Sequence, residues 1–260
     1  MTAKAVLVSG GSSGIGAAIT SEFLARGCSV GVVSRQGRPH GADFDEQFES
    51  HGSLEWIRVD LADADATRKA VLDWAGRHAY ALDGIVLAAV DYGCGPRHPL
   101  VDSSLEEWDR VHSVNLRAQF VLVSALLPAL LARPRALVLS ISSNAAVEAA
   151  PGRAVYAASK AGTYALFRSL AQELQDSNVS VVQVMPKNQI VTPGIRARRP
   201  KTFTFEGYDE ATVFRPFAAH IALTLGAGLA GRLLAIDAEG AWSEMTQCSE
   251  LHGASPQALP

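Results

Sequence analysis

Short, continuously apolar runs alternate along this chain with longer stretches of helical periodicity. The runs at 5–9, 29–34, 54–60, 83–89, 136–142 and 179–185 are rich in Val, Ile and Leu. Runs of that length predict strands. Most lack a polar alternate face, which predicts burial on both sides, as in a parallel sheet covered by helices. Between them, 14–26, 64–78, 105–131 and 154–175 read as helices, and 211–225 and 232–236 as a last helix and an edge strand. Strict β–α alternation predicts an α/β fold, one doubly wound parallel sheet with helices on both faces. We place that domain at 1–240 and a C-terminal tail at 241–260. Two stretches break the regularity: 36–53 is polar, and 185–207 is long for a connection, which usually marks a functional loop.

Composition narrows the function classes. With 48% hydrophobic and 19% charged residues among 260, the chain excludes disorder. A net charge of −3 argues against nucleic acid as a partner. Cys28, Cys94 and Cys248 are far apart, and no histidine pair has helical ligand spacing, so no metal site is expected. The sparse thiols suit a reducing compartment. The start carries no leader pattern, and the longest apolar stretch, 120–132, is short for a bilayer and holds Ser124 and Pro128. A cytoplasmic protein with no membrane partner is expected.

The first candidate for chemistry is the turn Ser9-Gly10-Gly11-Ser12-Ser13-Gly14-Ile15-Gly16, between the first strand and the first helix. Glycines there permit positive φ and close approach of a phosphate, and the helix N-terminus offers free N–H groups to it. A tight turn using glycine only for packing is the bland alternative. The same residues also satisfy the Gly-x-Ser-x-Gly elbow of a hydrolase, with Ser12 as nucleophile and Asp237 and His252 following in order. An elbow on the first strand, with no glycine-rich oxyanion segment, speaks against that reading.

The second candidate is Tyr156 with Lys160, four residues apart and hence on one helix face. A free phenol titrates near pH 10, and a neighbouring cation favours phenolate. Ser143 ends the preceding strand, where its hydroxyl could reach the same substrate oxygen as the phenol.

Taken together, Ser9–Gly16, Asp60-Leu61, Asn115, Ser143, and Tyr156 with Lys160 resemble the short-chain dehydrogenase/reductase family over residues 3 to 240. The resemblance implies a Rossmann-like fold and a dinucleotide-dependent oxidoreductase. It makes Tyr156 the general acid or base, Lys160 the holder of the nicotinamide ribose and the group that depresses the tyrosine, and Ser143 the group that polarises the carbonyl. It gives Asn115 a helix kink and a water of the proton relay, and assigns Asp60 to the adenine. Ser9, Gly10, Ser12, Ser13, Gly14, Ile15, Gly16, Ser34, Arg35, Leu61 and Thr192 complete the expected cofactor contacts. Three departures stand out: Ala88-Ala89-Val90-Asp91 where the family carries Asn-Asn-Ala-Gly, Pro186-Lys187 for Pro-Gly, and the long tail. Lys187 would bring a positive charge near the nicotinamide.

The second strand ends Val33-Ser34-Arg35, with Arg38 close by and no acid at its tip. A guanidinium there suits a 2′-phosphate, which points to NADP(H) over NAD(H) and to reduction. The expected reaction is reversible reduction of a small-molecule ketone or aldehyde to an alcohol. An epimerase or dehydratase on the same fold, or a silent dinucleotide-binding protein, are the alternatives. Asp91 to Cys94, the segment after Asn144, and 192–214 are expected to wall the substrate pocket. Four cations within 193–201 raise the possibility of an anionic or carrier-bound substrate, against a plain solvated loop. Ala157, Ala161 and Ala165 form a small-residue seam that suits a homodimer or homotetramer.

Overall fold

The computed structural model describes residues 4–37, 52–79, 81–148 and 150–245. Seven parallel strands are β1 (Ala5–Ser9), β2 (Ser29–Ser34), β3 (Ser53–Arg58), β4 (Leu82–Leu87), β5 (Ala136–Ile141), β6 (Val179–Pro186) and β9 (Leu233–Ile236). With β10 (Trp242–Glu244) at the end, the sheet runs β10-β9-β6-β5-β4-β1-β2-β3. β1 shows why the strands are apolar throughout. Val6 and Val8 join Ile19 and Phe23 in a core on one face, and Leu7 joins Trp74, Leu122 and Phe167 on the other. Each such fully buried side chain contributes about 1.5–3 kcal/mol.

Helices α1 (Gly14–Ala25) and α7 (Arg215–Thr224) pack together on the first face. On the opposite face lie α2 (Ala64–Arg77), α4 (Ala118–Leu131) and α5 (Ala154–Glu173). The stretch expected as one helix at 105–131 is three pieces: α3 (Leu105–His112), a π-helical turn Ser113–Arg117, and α4. By length and composition this run could cross a membrane, yet most of it is buried in the fold.

Two further expectations need correction. β9 is not an edge strand, because β10 pairs with it antiparallel, Trp242 opposite Ile236. Residues 241–245 are therefore not a tail: a turn closed by Gly240 N–H on the Asp237 carbonyl at 3.0 Å returns the chain to the sheet. Residues 246–260 lie outside the described residues, as do Arg38 and most of the polar stretch 36–53. The long connection after β6 also has structure of its own. β7 (Ile190–Val191) pairs in parallel with β8 (Asp209–Glu210), and α6 (Pro193–Arg196) starts the loop between them, capped by the Thr192 hydroxyl.

Candidate functional site

Strand order reverses between β1 and β4, and in open α/β sheets the ligand crevice forms beyond the strand ends at such a point. A cleft of about 640 Å³ lies there. Its floor is the glycine turn. Gly10 has φ +72°, and a Cβ on it would meet the Ala89 backbone at 2.6 Å, so the turn can nest against the end of β4 only as glycine. Gly16 is required by contact instead: a Cβ there would lie 2.2 Å from the Gly10 carbonyl. The Ser13 side chain makes no cap bond to α1, and the first turn holds no acid, so the helix presents bare N–H groups to the cleft.

Gly10, Ser12, Ser13, Gly14, Ile15 and Gly16 all line this cleft. So do Ser34, Arg35, Asp60, Leu61, Ser143, Tyr156, Lys160 and Thr192. Arg35 is exposed at the tip of β2, whereas the buried Ser34 hydroxyl donates to the Gly37 carbonyl at 2.7 Å. Asp60 Oδ1 accepts the Ala62 N–H at 3.0 Å. Ser9 departs from expectation. It is buried at the end of β1 with its hydroxyl toward the Val86 carbonyl, outside the lining of the cleft.

Tyr156 and Lys160 come from the first turns of α5, and Ser143 from the residue after Ser142 at the end of β5. Burial pushes the Tyr156 phenol up from 10, while a hydrogen bond with Ser143 and the Arg153 charge pull it back. Burial alone pushes the Lys160 ammonium down to about 8. Lys160 Nζ donates to the Ile141 carbonyl at 2.9 Å and sits 6.0 Å from the centre of the Tyr156 ring. Arg153, 5.1 Å from the ring centre, is a further cation beside the phenol.

Asn115 sits behind the cleft rather than on it, fully buried in the π-helical turn. Its Oδ1 accepts the Asp91 N–H at 2.7 Å, and its Nδ2 donates to the Asp91 carbonyl at 2.8 Å and to Ser159 Oγ at 3.0 Å. The helix does depart from α geometry here, which frees the Asn115 carbonyl to accept the Thr163 hydroxyl at 3.1 Å.

The family model for short chain dehydrogenases matches residues 4–201. The chain belongs to the short-chain dehydrogenase family. It is 34% identical over 178 residues to a short chain dehydrogenase of Pseudocercospora fijiensis, covering 68% of this chain and 56% of that one. It is 30% identical to the versicolorin reductase of Emericella nidulans over 241 residues, 90% of this chain and 89% of the other. Among solved structures, a short chain dehydrogenase of Burkholderia cenocepacia in complex with NADP superposes with a TM-score of 0.74 at 26% identity. That match covers 91% of this chain and 97% of the other.

The departures of this short-chain dehydrogenase from its family's pattern have physical answers. At 88–91 the lost amides are replaced by a clamp: Asn115 holds the Asp91 backbone, and the Asp91 carboxylate takes Arg110 Nε at 2.8 Å. Lys187 does not point into the cleft. It pairs with Asp237 at 3.5 Å, and Asn188 and Gln189 line the cleft in its place. Tyr92, expected as a wall residue, stacks on Tyr156 with ring centres 5.3 Å apart. Arg153 went unforeseen because one arginine ahead of a helix carries no signal of its own in sequence.

Proposed function

We propose that this chain is an NADPH-dependent oxidoreductase that reduces a ketone or aldehyde to an alcohol, with Tyr156 delivering the proton. The observation that carries the reading is the convergence of Ser143, Tyr156 and Lys160 on the same cleft as the glycine turn. The residues present suit a dinucleotide. Ser12, Ser13, Gly14, Ile15 and Gly16, at an uncapped and acid-free helix start, would hold its pyrophosphate. Asp60 and Leu61 would face the adenine, Arg35 the 2′-phosphate, and Lys160 and Thr192 the nicotinamide end. The NADP in the Burkholderia relative supports the choice of cofactor for that phosphate.

When bound, the cofactor supplies the hydride. The chain does the rest. The Ser143 hydroxyl orients the carbonyl oxygen and withdraws charge from it. The Tyr156 phenol, kept protonated by burial, gives its proton to that oxygen as charge builds there, leaving an alcohol. Lys160 has three N–H donors, one of them on the Ile141 carbonyl, so two remain for ribose hydroxyls.

The test pairs binding with turnover. NADPH and NADH are titrated by fluorescence, and a carbonyl panel is then assayed with wild type and Tyr156→Phe. Loss of roughly 10²–10⁴-fold in turnover with NADPH binding retained is expected. A Phe variant with wild-type turnover, in a reaction limited by chemistry, would overturn the role given to Tyr156.

A further inference from the structure

Beside Tyr156 a recess of about 70 Å³ carries four arginines from three separate pieces of chain. Arg97 comes from the loop after β4, Arg153 from the residue before α5, and Arg198 and Arg199 from the loop after α6. Arg110, Arg133 and Arg215 each have a carboxylate partner elsewhere in the fold. Among the described residues none of the four has one. The carboxylate in the recess wall is Glu107, and both its oxygens are committed. Oε1 accepts the Cys94 N–H at 3.1 Å, and Oε2 meets His98 Nε2 at 3.0 Å.

The four also keep donors in reserve. Arg198 gives one Nη to the Gly93 carbonyl, and Arg199 gives Nη2 to the Tyr208 hydroxyl at 3.2 Å. Arg199 Nε is buried with no partner among the described residues. The charges are close enough to feel one another: burial first, then Arg153 and Arg199, push the Arg97 guanidinium below its ordinary value. Arg97 is exposed and Arg153, Arg198 and Arg199 are half-buried, and holding these like charges together costs free energy that an anion would relieve. The other cations of 193–201 stand apart. Arg196 faces Glu210 at 3.6 Å, and Lys201 is exposed and outside the recess wall.

We propose that this recess is a subsite for a carboxylate of the substrate, so that the compound reduced at Tyr156 is an oxo acid. The placement follows from the geometry. The Arg153 guanidinium lies over the Tyr156 ring, so a carbonyl at the phenol puts a carboxylate a few bonds away among planar forks that match its two oxygens. The inference rests on the carbonyl-reductase reading above.

The experiment compares 2-oxobutanoate, 4-oxopentanoate and 5-oxohexanoate, each with its methyl ester, using NADPH and wild type or Arg97→Gln/Arg199→Gln. We expect wild type to favour at least one acid over its ester. The double variant should then lower that acid-to-ester ratio of kcat/KM roughly tenfold or more. Arg97→Lys/Arg199→Lys, which keeps the charge without the fork, should restore part of the ratio, and cooperative thermal unfolding checks that each variant folds. An equal preference for acid and ester in wild type, or a ratio the Gln substitutions leave unmoved, overturns the subsite. A second arm titrates pentanoate calorimetrically, with and without NADPH, because it has no carbonyl to reduce. If neither acids nor esters are reduced, the reductase reading fails. Pentanoate binding that the Gln variant abolishes would still uphold the anion site, and absence of binding would remove it.

Discussion

Replacing Lys160 with methionine separates what this ammonium costs the fold from what it contributes to the site. The side chain is 3% exposed, and burial lowers its titration from 10.5 to about 8. At 1.36 kcal/mol per pH unit, that gap corresponds to a penalty of about 3 kcal/mol for keeping the charge in the folded state. Below pH 8 both folded and unfolded chains are protonated, so the penalty is fully present. Between pH 8 and 10.5 the unfolded chain holds a proton that the folded chain has released, so stability rises with pH and the penalty fades. Methionine carries no charge but loses the bond to the Ile141 carbonyl, worth roughly 1–2 kcal/mol. At pH 7 the variant should therefore be more stable by about 1–2 kcal/mol, and that advantage should vanish or reverse by pH 10. Urea unfolding of both proteins across pH 7 to 10, followed by tryptophan fluorescence, reads the difference directly, with other titrating groups cancelling. A stability difference that stays flat over this range refutes the reasoning. The same variant should lose affinity for NADPH, which would mark the ammonium as retained for binding and not for folding.

Three other outcomes are expected. Arg35→Asp should weaken NADPH roughly tenfold or more while sparing NADH, and equal affinities for both cofactors in wild type would already exclude a role for Arg35 in the choice. Asn115→Ala leaves the Asp91 N–H and carbonyl without their side-chain partner, so chemical denaturation should show a loss of about 2–4 kcal/mol; a loss under 1 would mean water satisfies those groups. Gly16→Ala drives a methyl into the Gly10 carbonyl, and should cost about 1–3 kcal/mol and weaken NADPH in the same titration, whereas an unchanged Kd would show that the turn can yield.

Much of the architecture was legible because it depends on period and composition. Continuous apolar runs such as 5–9 and 136–142 mean strands covered on both faces, and the two cores meeting β1 bear that out. The glycine turn and the Tyr156–Lys160 spacing are local patterns, so sequence alone could bring them to one cleft. What escaped depends on partners distant in the chain. Lys187 looked like a charge for the cleft until Asp237, fifty residues on, took it. The missing amides at 88–91 looked like a loss because nothing local reveals that Asn115 and Arg110 hold Asp91. The π-helical turn lies inside a run whose apolar spacing reads as uninterrupted helix, since one extra residue in a turn barely alters a 27-residue pattern.

The small ladder between β7 and β8 has a consequence for how such an enzyme can change. By tying Ile190–Val191 to Asp209–Glu210, it brings the two ends of segment 192–208 together at a neck independent of the main sheet. The entropy of closing the loop is met at the neck, and lengthening the segment would add only about 0.6 kcal/mol per doubling. Arg198 and Arg199 both lie on that segment, while Ser143, Tyr156 and Lys160 lie outside it. The loop is thus a cassette: under the function proposed above, exchange between the two tethered ends would rebuild the recess around Arg198 and Arg199 and leave Ser143, Tyr156 and Lys160 in place.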